Sequence, residues 1–397
     1  MNSKVALVKC QSFDYDYNLV REAIREAVES LGGFSAFLSP GERVMLKVNL
    51  LMKKAPEEAT TTHPVFVEAL ADLVTEFGCD VLIADSPGGP FVLRMLESVY
   101  KGCGYDRFER SERSERPEKP GIKLNRNVKS TERENADGRL LKRLTLIDAL
   151  NDVDKVISVS KLKTHGMMKF TGAVKNMFGT VPGMIKAEYH FKMPEPDDFA
   201  DMLVDICEHV SPVLSLMDGI VGMEGAGPSA GDPVELGVVL ASDNPHWLDL
   251  TAVKLVHIDP QDVPTLRRAV ARGLIDPVNA PAEMTGLPLK AFHIPHFKAP
   301  NIRSIEFLRG HAPYFIKHAA DLMLKPRPVF DSSLCVKCGD CRRLCPPQAI
   351  AMDKAVREGY PVVDLSKCIR CYCCQELCPK EAVEIHRPLL LRIMTKF

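Results

Sequence analysis

Eight cysteines near the end of the chain stand at spacings that suit metal–sulfur chemistry. They form two runs of Cys-x2-Cys-x2-Cys-x3-Cys-Pro, which begin at Cys335 and Cys368 and are offset by 33 residues throughout. Such runs hold [4Fe–4S] clusters, because the short loops wrap several thiolates around one cluster. Structural zinc is the alternative, but zinc sites favour cysteine pairs with longer separations. The duplication therefore predicts two [4Fe–4S] clusters.

Residues 331–386 resemble bacterial-type ferredoxins in this duplicated run. In two-cluster ferredoxins the fourth cysteine of each run binds the cluster of the other run. The resemblance implies one cluster held by Cys335, Cys338, Cys341 and Cys378, and a second held by Cys368, Cys371, Cys374 and Cys345. Cys373 lies outside the spacing, and no role is expected for it. For the basic residues around the ligands three roles are open: they raise the cluster potential, they dock an acidic redox partner, or they form a solvated surface.

A second group of polar side chains follows an apolar run at 156–159. This group contains Lys161, Lys163, His165, Thr171, Lys175 and Asn176. Lysines that turn inward lose hydration unless an anion or a carboxylate pairs with them. The group predicts a site for a small anionic substrate or cofactor, with His165 as a candidate proton donor and Lys163 and Lys175 as further catalytic candidates. Ordinary surface lysines and a core histidine are the alternative.

Other strand ends are expected to converge on this site, because ligands of open α/β sheets bind beyond the carboxyl ends of strands. The full set predicted to bind substrate is Lys47, Asn49, His63, Lys161, Thr171, Asn176, Asp218, Glu224 and Asp249. The main-chain amides after Thr171 offer further donors at a helix start. The donor types of His165, His190, Asp218 and Glu224 are compatible with a further divalent metal, although no short ligand spacing supports one.

The elements that position these residues alternate along the first 300 residues. Short apolar runs predict strands at 5–8, 44–48, 81–84, 156–159, 213–217 and 236–240, and apolar stripes predict helices at 18–31, 65–77, 197–209 and 244–255. This order indicates an α/β fold with a largely parallel sheet flanked by helices. A small ferredoxin-like α+β iron–sulfur domain is expected to follow it.

The expected domains are an α/β domain at 1–300, a linker with one docking helix at 301–330, the iron–sulfur domain at 331–386 and a tail at 387–397. The docking helix is predicted at 315–324, and the apolar tail is expected to pack back on the protein. The densely charged segment 106–139 predicts an exposed loop or hairpin.

Composition excludes several classes of protein. The chain has 397 residues, with 51 Lys and Arg against 52 Asp and Glu, so a chain-wide basic surface for nucleic acid is not expected. Since no run of about 18 apolar residues occurs, no membrane span is expected. Thirteen cysteines without a signal-peptide pattern indicate a reducing compartment and hence a cytoplasmic location. The oligomeric state is left open.

Five motifs within residues 40–255 resemble the DUF362 family. They are Val44-x2-Lys47-x-Asn49, Thr-Thr-His63-Pro64, Lys161-x-Lys163-Thr164-His165, the run from Thr171 to Gly179, and the glycine-rich run from Asp218 to Pro228. Asp249 matches a late aspartate of that family. The resemblance implies a frequent ferredoxin-like tail and little about activity. The order from His165 to Gly183 is also similar to nickel-pincer lactate racemases, and no residue role is transferred from them.

Three hypotheses for function remain. The first is a redox enzyme, in which the ferredoxin-like module passes single electrons to or from an anion bound in the α/β domain. The second is an electron carrier whose α/β domain docks a redox partner protein. The third is a non-redox enzyme with structural or sensory clusters. Because fold does not imply function, the sequence alone does not choose among them.

Overall fold

The computed structural model describes residues 3–109, 121–279, 281–292, 294, 296–300, 326–352 and 359–386. The predicted docking helix at 315–324 and the tail at 387–397 lie outside the described residues. Within the described ranges, no helix combines the length and the apolar character that crossing a bilayer requires.

Fifteen strands occur in the described residues. They are β1 (Lys4–Lys9), β2 (Arg43–Lys47), β3 (Asp80–Ala84), β4 (Ile122–Leu124), β5 (Ser130–Glu134), β6 (Arg143–Ile147), β7 (Lys155–His165), β8 (Lys169–Thr171), β9 (Leu214–Glu224), β10 (Asp232–Ser242), β11 (Glu283–Gly286), β12 (Arg327–Phe330), β13 (Ile350–Ala351), β14 (Val362–Val363) and β15 (Val383–His386).

Nine of these strands form one mixed, mostly parallel sheet. Its order is β11-β1-β10-β9-β7-β2-β3-β4, and β8 pairs with the far end of β7. In this sheet, β8 and β10 are antiparallel to their neighbours. All other neighbouring strands of the sheet pair in parallel. The carboxyl ends of β2, β3, β7 and β9 therefore meet at one edge, which confirms the predicted fold class.

Helices cover both faces of the sheet. They are α1 (Tyr17–Glu29), α2 (Pro64–Glu76), α3 (Leu93–Gly102), α4 (Ala173–Asn176), α5 (Ile185–Lys192), α6 (Pro196–Val210), α7 (Pro245–Leu255) and α8 (Pro264–Ala271). Asp16 and Asn244 cap α1 and α7 by accepting hydrogen bonds from amides of the first turn. One apolar core joins α1, α2 and α3 to the sheet, and two others lie on the opposite face under α6, α7 and α8.

Three central strands are longer than their apolar runs predicted. β7, β9 and β10 each have 11 residues, and Lys161, Lys163 and His165 are part of β7 rather than of a loop after it. The sequence rule failed there because these polar side chains find buried partners and so remain inside the sheet. The charged segment 106–139 contains β4 and one strand of the β5–β6 hairpin, while residues 110–120 lie outside the described part.

The cysteine-rich module is a small unit that packs on the carboxyl edge of the sheet. It contains β12 to β15 and two short helices, α9 (Asp340–Arg343) and α10 (Cys373–Glu376). β12 pairs with β15 and β13 pairs with β14, both antiparallel. The Ser229 hydroxyl donates to the Glu376 carbonyl at 2.7 Å, and Lys54 pairs with Glu381. The Ser229 bond fixes α10 against the residue that follows the glycine-rich run, and the Lys54 pair joins the module to the segment after β2.

Candidate functional site

A cleft of about 770 Å3, counted out to its mouth, lies between the sheet edge and the cysteine-rich module. The α/β side contributes residues from the ends of β2, β3, β7 and β8 and from α4 and α5. The module contributes Leu344, Cys373, Glu376 and Leu377. Five of the predicted site residues line the cleft: Asn49, Lys163, Thr171, Lys175 and Asn176.

Lys47 and Asp85 form a buried ion pair at the edge of the cleft, with Nζ 2.7 Å from Oδ1. The Lys47 ammonium also donates to the Val48 carbonyl at 2.7 Å, and the Asn176 amide donates to the Lys47 carbonyl at 2.8 Å. A Cβ at Gly179 would stand 2.0 Å from Asp85 Oδ1, so only glycine fits against the pair. Asp85 and Asn176 line the cleft, whereas Lys47 neutralises Asp85 from behind.

Lys163 enters the cleft from β7. Its ammonium donates to Asn49 Oδ1 at 2.8 Å and to the Thr60 carbonyl at 2.6 Å. Burial, followed by the charge of Lys175, lowers the pKa of Lys163 to about 7, although Glu376 opposes the change. Both of its hydrogen-bond partners are uncharged oxygens, so neither offsets the effect of burial as a carboxylate would.

Lys175 faces the cleft from the short helix α4. Within the described residues, no hydrogen bond or ion pair joins its Nζ to another group, and the ring centroid of Phe178 lies 5.7 Å away. Burial lowers the pKa of Lys175, while Glu376 and Cys373 raise it. A desolvated ammonium without a bound partner favours an anionic ligand.

Lys186 is a cleft lysine that the sequence analysis missed. Its ammonium on α5 donates to the Ser86 carbonyl and lies 3.2 Å from Ser86 Oγ and 3.3 Å from the Pro87 carbonyl. Burial lowers its pKa to about 7, and Asp85 opposes this. Asp85 could have been recognised as a site residue because it comes just after a strand. Lys186 could not, because a lysine on a helix gives no sequence signal of a site.

Lys161, Asp218 and His63 form a closed network behind the cleft and do not line it. The Lys161 ammonium lies 2.8 Å from Asp218 Oδ2, and the Tyr15 hydroxyl donates to Asp218 Oδ1 at 2.8 Å. The His63 amide donates to Asp218 Oδ2 at 3.0 Å, and its ring stacks on Tyr15 at 3.6 Å. Burial lowers the pKa of His63 to about 3. The network ties the start of α2 to β7 and β9, and Tyr15 was not foreseen.

Asp249 caps α4 rather than facing a substrate. Its carboxylate accepts from the Ala173 amide at 2.6 Å and from the Val174 amide at 3.1 Å. Burial raises the pKa of Asp249 to about 7, while these two amides lower it. The amide donors that the sequence suggested for a ligand after Thr171 are therefore occupied.

The four residues considered for a divalent metal are not brought together. Glu224 pairs with Lys298, with Oε1 2.9 Å from Nζ, and also accepts from the Lys298 amide at 2.8 Å. The ring of His190 lines the cleft but stacks on Phe199 at 4.3 Å. Asp218 belongs to the network with Lys161. A metal held jointly by His165, His190, Asp218 and Glu224 is thus unsupported.

His165 is fully buried and faces the cysteine-rich module. Its Nδ1 accepts from the amides of Met167 and Met168 at 3.1 and 3.2 Å, which assigns the proton of the neutral ring to Nε2. Nε2 lies 3.2 Å from Glu376 Oε1, although the angles fall outside hydrogen-bond geometry. Burial lowers the pKa of His165, followed by the charge of Lys175. His165 contacts the cleft wall instead of lining the cleft.

The module contains two smaller cavities, each lined by one of the predicted ligand sets. The first is lined by Cys335, Cys338, Cys341 and Cys378. The second is lined by Cys345, Cys368, Cys371 and Cys374, and Cys373 lines it as well. None of these cysteines forms a disulfide. Four sulfur donors around each cavity fit the chemistry of a [4Fe–4S] cluster.

Comparison with known proteins agrees with these features. Residues 44–254 match a domain of unknown function, DUF362, and residues 334–382 match a 4Fe-4S dicluster domain. The thylakoid-associated protein sll1697 of Synechocystis sp. is 33% identical over 275 residues, which cover 69% of this chain and 81% of that protein.

Two solved structures are distant neighbours. The lactate racemase apoprotein from Thermoanaerobacterium thermosaccharolyticum is 12% identical, with a TM-score of 0.38 over 64% of this chain and 56% of that chain. A protein from Thermotoga maritima is 12% identical, with a TM-score of 0.34 over 60% of this chain and 57% of that chain. The chain spans little more than half of each. The family match covers more than half of the chain and coincides with the five motifs. The chain therefore belongs to the DUF362 family and carries a C-terminal 4Fe-4S dicluster domain.

Proposed function

We propose that the protein transfers single electrons between a two-cluster iron–sulfur module and a small anion held in the cleft. The observation that carries this proposal is the position of α10. This helix bears Cys374, an assigned cluster ligand, and it also contributes Cys373 and Glu376 to the cleft wall. The second cysteine cavity and the cleft therefore share a wall, which gives electrons a short path between them.

The cluster assignment follows the two cavities. Cys335, Cys338, Cys341 and Cys378 are proposed to hold the first cluster, and Cys345, Cys368, Cys371 and Cys374 the second. When bound, the clusters supply one-electron transfer at potentials set by their surroundings.

The cleft is suited to an anion with an apolar body. Lys175 offers a desolvated ammonium, and Lys163 and Lys186 add two donors whose charge varies near neutral pH. Leu51 and Phe178 contribute apolar lining beside these charges. A carboxylate or phosphate group would replace the lost hydration of Lys175, and the rest of the ligand would pack on the apolar wall.

Lys163 is proposed as the group that moves a proton at the cleft. Its pKa of about 7 matches the requirement that a general acid or base be poised near the working pH. His165 is proposed to position Glu376 rather than to donate the proton, since its ring faces that carboxylate from a fully buried position. Asn49 holds the Lys163 ammonium in place at 2.8 Å.

The outer side of the module supports electron exchange with a redox partner protein. Cys338 of the first cavity is exposed, and its neighbours Leu334 and Val336 are 50% and 58% exposed. Exposed apolar side chains beside a redox centre favour a transient protein contact. The electron-carrier hypothesis accounts for this surface, but it assigns no role to Lys175. Thiolate-held clusters need reducing conditions, so a cytoplasmic location stays our prediction.

Anaerobic purification of the full chain tests the proposal. Small molecules that co-purify with wild type, Lys175→Met and Lys367→Met are identified by mass spectrometry. Lys367 is an exposed lysine of the module, so Lys367→Met removes the same charge at a position away from the cleft. An anionic compound is expected with wild type and Lys367→Met, and it should be depleted with Lys175→Met.

The second stage adds that compound to the anaerobic protein, once with the iron–sulfur absorbance oxidised and once after reduction by dithionite. The compound is expected to change the absorbance in one of these states and not in Lys175→Met. If no compound distinguishes the variants, or if its addition leaves both oxidation states unchanged, the proposal is wrong and the electron-carrier hypothesis gains.

A further inference from the structure

Ser86 and Lys186 contact each other on the wall of the cleft, and electron transfer gives the hydroxyl of Ser86 no role. Ser86 comes two residues after β3 and is 2% exposed, and Lys186 belongs to α5. Both residues line the cleft, and Lys186 Nζ lies 3.2 Å from Ser86 Oγ. A hydroxyl beside an amine at a ligand cleft is the arrangement of nucleophile and base that covalent catalysis uses.

The other contacts of Lys186 are to main-chain carbonyls. Its Nζ hydrogen-bonds the carbonyl oxygens of Ser86 and Pro87. Within the described residues no carboxylate forms an ion pair with Lys186, since the nearby Asp85 pairs with Lys47. A protonated lysine donates to all three oxygens, whereas an uncharged lysine donates to the two carbonyls and accepts from the Ser86 hydroxyl. Lys186 can therefore take the proton of Ser86 while all three contacts persist.

The charge of Lys186 is also poised for this role. Burial is the main cause that lowers its pKa to about 7. The charge of Asp85 opposes this change, and the charges of Lys47 and Lys175 add to it. A base with a pKa near the working pH is the most effective one.

The main-chain amide of Gly183 supports the reacting oxygen. It donates to Ser86 Oγ at 2.9 Å. Gly183 has a φ of +34°, and a Cβ there would stand 2.6 Å from the Gly89 carbonyl oxygen, so glycine is required for this approach. An N–H group that points at Oγ stabilises the oxygen as it loses its proton.

We propose that Ser86 is a nucleophile activated by Lys186, and that the cleft accepts an ester or thioester of a small anionic acid. Ser86 Oγ attacks the acyl carbon while its proton passes to Lys186 Nζ, and the alcohol or thiol leaves with that proton. Water then hydrolyses the acyl-serine, which releases the acid and restores the hydroxyl. The ammonium of Lys175, which lines the same cleft, pairs with the anionic group of the acid. This inference goes beyond the proposed function, because no step uses a cluster.

Covalent labelling of the full, cluster-loaded chain tests the nucleophile. Diisopropyl fluorophosphate is the probe, since a serine nucleophile forms an Oγ–P bond with it and fluoride leaves. Peptide mass spectrometry locates and quantifies the adduct in wild type, Ser86→Ala, Lys186→Met and Lys192→Met, which removes an exposed lysine from the same helix. An adduct on Ser86 is expected in wild type and Lys192→Met. Lys186→Met is expected to react about 100-fold more slowly or less, because a general base contributes at least that factor.

The pH dependence of labelling needs no variant and tests the role of Lys186 even if Lys186→Met does not fold. The rate in wild type is expected to rise with pH through about 7 and then level off, because only the uncharged amine accepts the proton. Absence of an adduct on Ser86, equal rates in wild type and folded Lys186→Met, or a midpoint near the ordinary lysine value of about 10.4 would each refute the proposal.

Two esters test the substrate class. Mono-4-nitrophenyl succinate carries a free carboxylate, and 4-nitrophenyl acetate is its neutral counterpart. Ser86→Ala is expected to abolish the hydrolysis of both that depends on the cleft, and Lys175→Met to slow only the succinate ester. If Ser86→Ala hydrolyses the succinate ester as fast as wild type, or if Lys175→Met affects both esters equally, the proposal is wrong.

Discussion

Lys163 is expected to lose its proton near pH 7 in the intact protein, and Lys175→Met is expected to raise the pKa of Lys163. Burial is the main cause of the low pKa, and the charge of Lys175 is the next. Glu376 and Asp85 act in the opposite direction, and Lys161 lowers the pKa slightly further. Removing the Lys175 charge therefore takes away one of the two main causes.

The size of the effect is large enough to measure directly. An ordinary lysine has a pKa of about 10.4, so at pH 7 only about one amine in 2,500 is uncharged. With a pKa of about 7, roughly half of the Lys163 amines are uncharged at that pH. In Lys175→Met the pKa is expected between these two values, because burial remains.

Competitive labelling with acetic anhydride gives the titration curve of each lysine. Brief pulses are applied between about pH 5 and about pH 11, a range that covers both expected pKa values, and peptides are quantified by mass spectrometry. The exposed Lys367 serves as the reference amine in the same sample. Half-maximal acetylation of Lys163 is expected at about pH 7, well below the ordinary lysine value of about 10.4.

The same titration has a consequence for ligand binding. A bound anion favours the charged form of Lys163. The affinity of the protein for the anion is therefore expected to fall as the pH rises through about 7, by up to ~tenfold for each pH unit. If half-maximal acetylation of Lys163 falls near the ordinary lysine value of about 10.4, or if Lys175→Met lowers the pKa of Lys163, the electrostatic reasoning is wrong.

Two further predictions concern the buried polar groups. Lys161→Met removes the cation that lies 2.8 Å from Asp218. Urea titrations are expected to show a free energy of unfolding lower by about 3–5 kcal/mol, because the buried carboxylate loses its partner. A loss below ~1 kcal/mol would contradict the role of this network in stability. Gly179→Ala places a methyl group against Asp85 and Lys47. It is expected to lower the free energy of unfolding by about 1–3 kcal/mol in the same measurement. If the variant is as stable as wild type, the ion pair tolerates displacement and the prediction is wrong.

Several features of the protein were predictable because they are local in sequence. The apolar runs predicted β1, β2 and β3 within about a residue, and the family resemblance is confirmed by the match over residues 44–254. The repeated cysteine runs indicated the 4Fe-4S dicluster domain, which the match over residues 334–382 supports. In each case the signal lies in a short window, since a strand needs only its own apolar residues and a cluster loop only its own spacing.

The structure brings some of the predicted site residues together at one cleft and places others elsewhere. Asn49, Lys163 and Lys175 line the cleft, as the rule for strand ends indicates. Asp249 and Glu224 carry the same kind of side chain as a substrate-binding carboxylate, yet one caps a helix and the other pairs with a lysine. Residue type alone does not distinguish these uses, because each depends on which donor the fold brings near.

By itself, the sequence determined the sulfur chemistry of the module and the alternation of strands and helices, because both are written in short repeats of residue type. Only the tertiary structure decided that α10 packs against the sheet edge, that Glu376 lies 3.2 Å from His165, and that Cys373 stands between two cavities. Those contacts join residues about 200 positions apart, as His165 and Glu376 are. They arise because the two parts of the chain pack against each other, and no local sequence pattern predicts that packing.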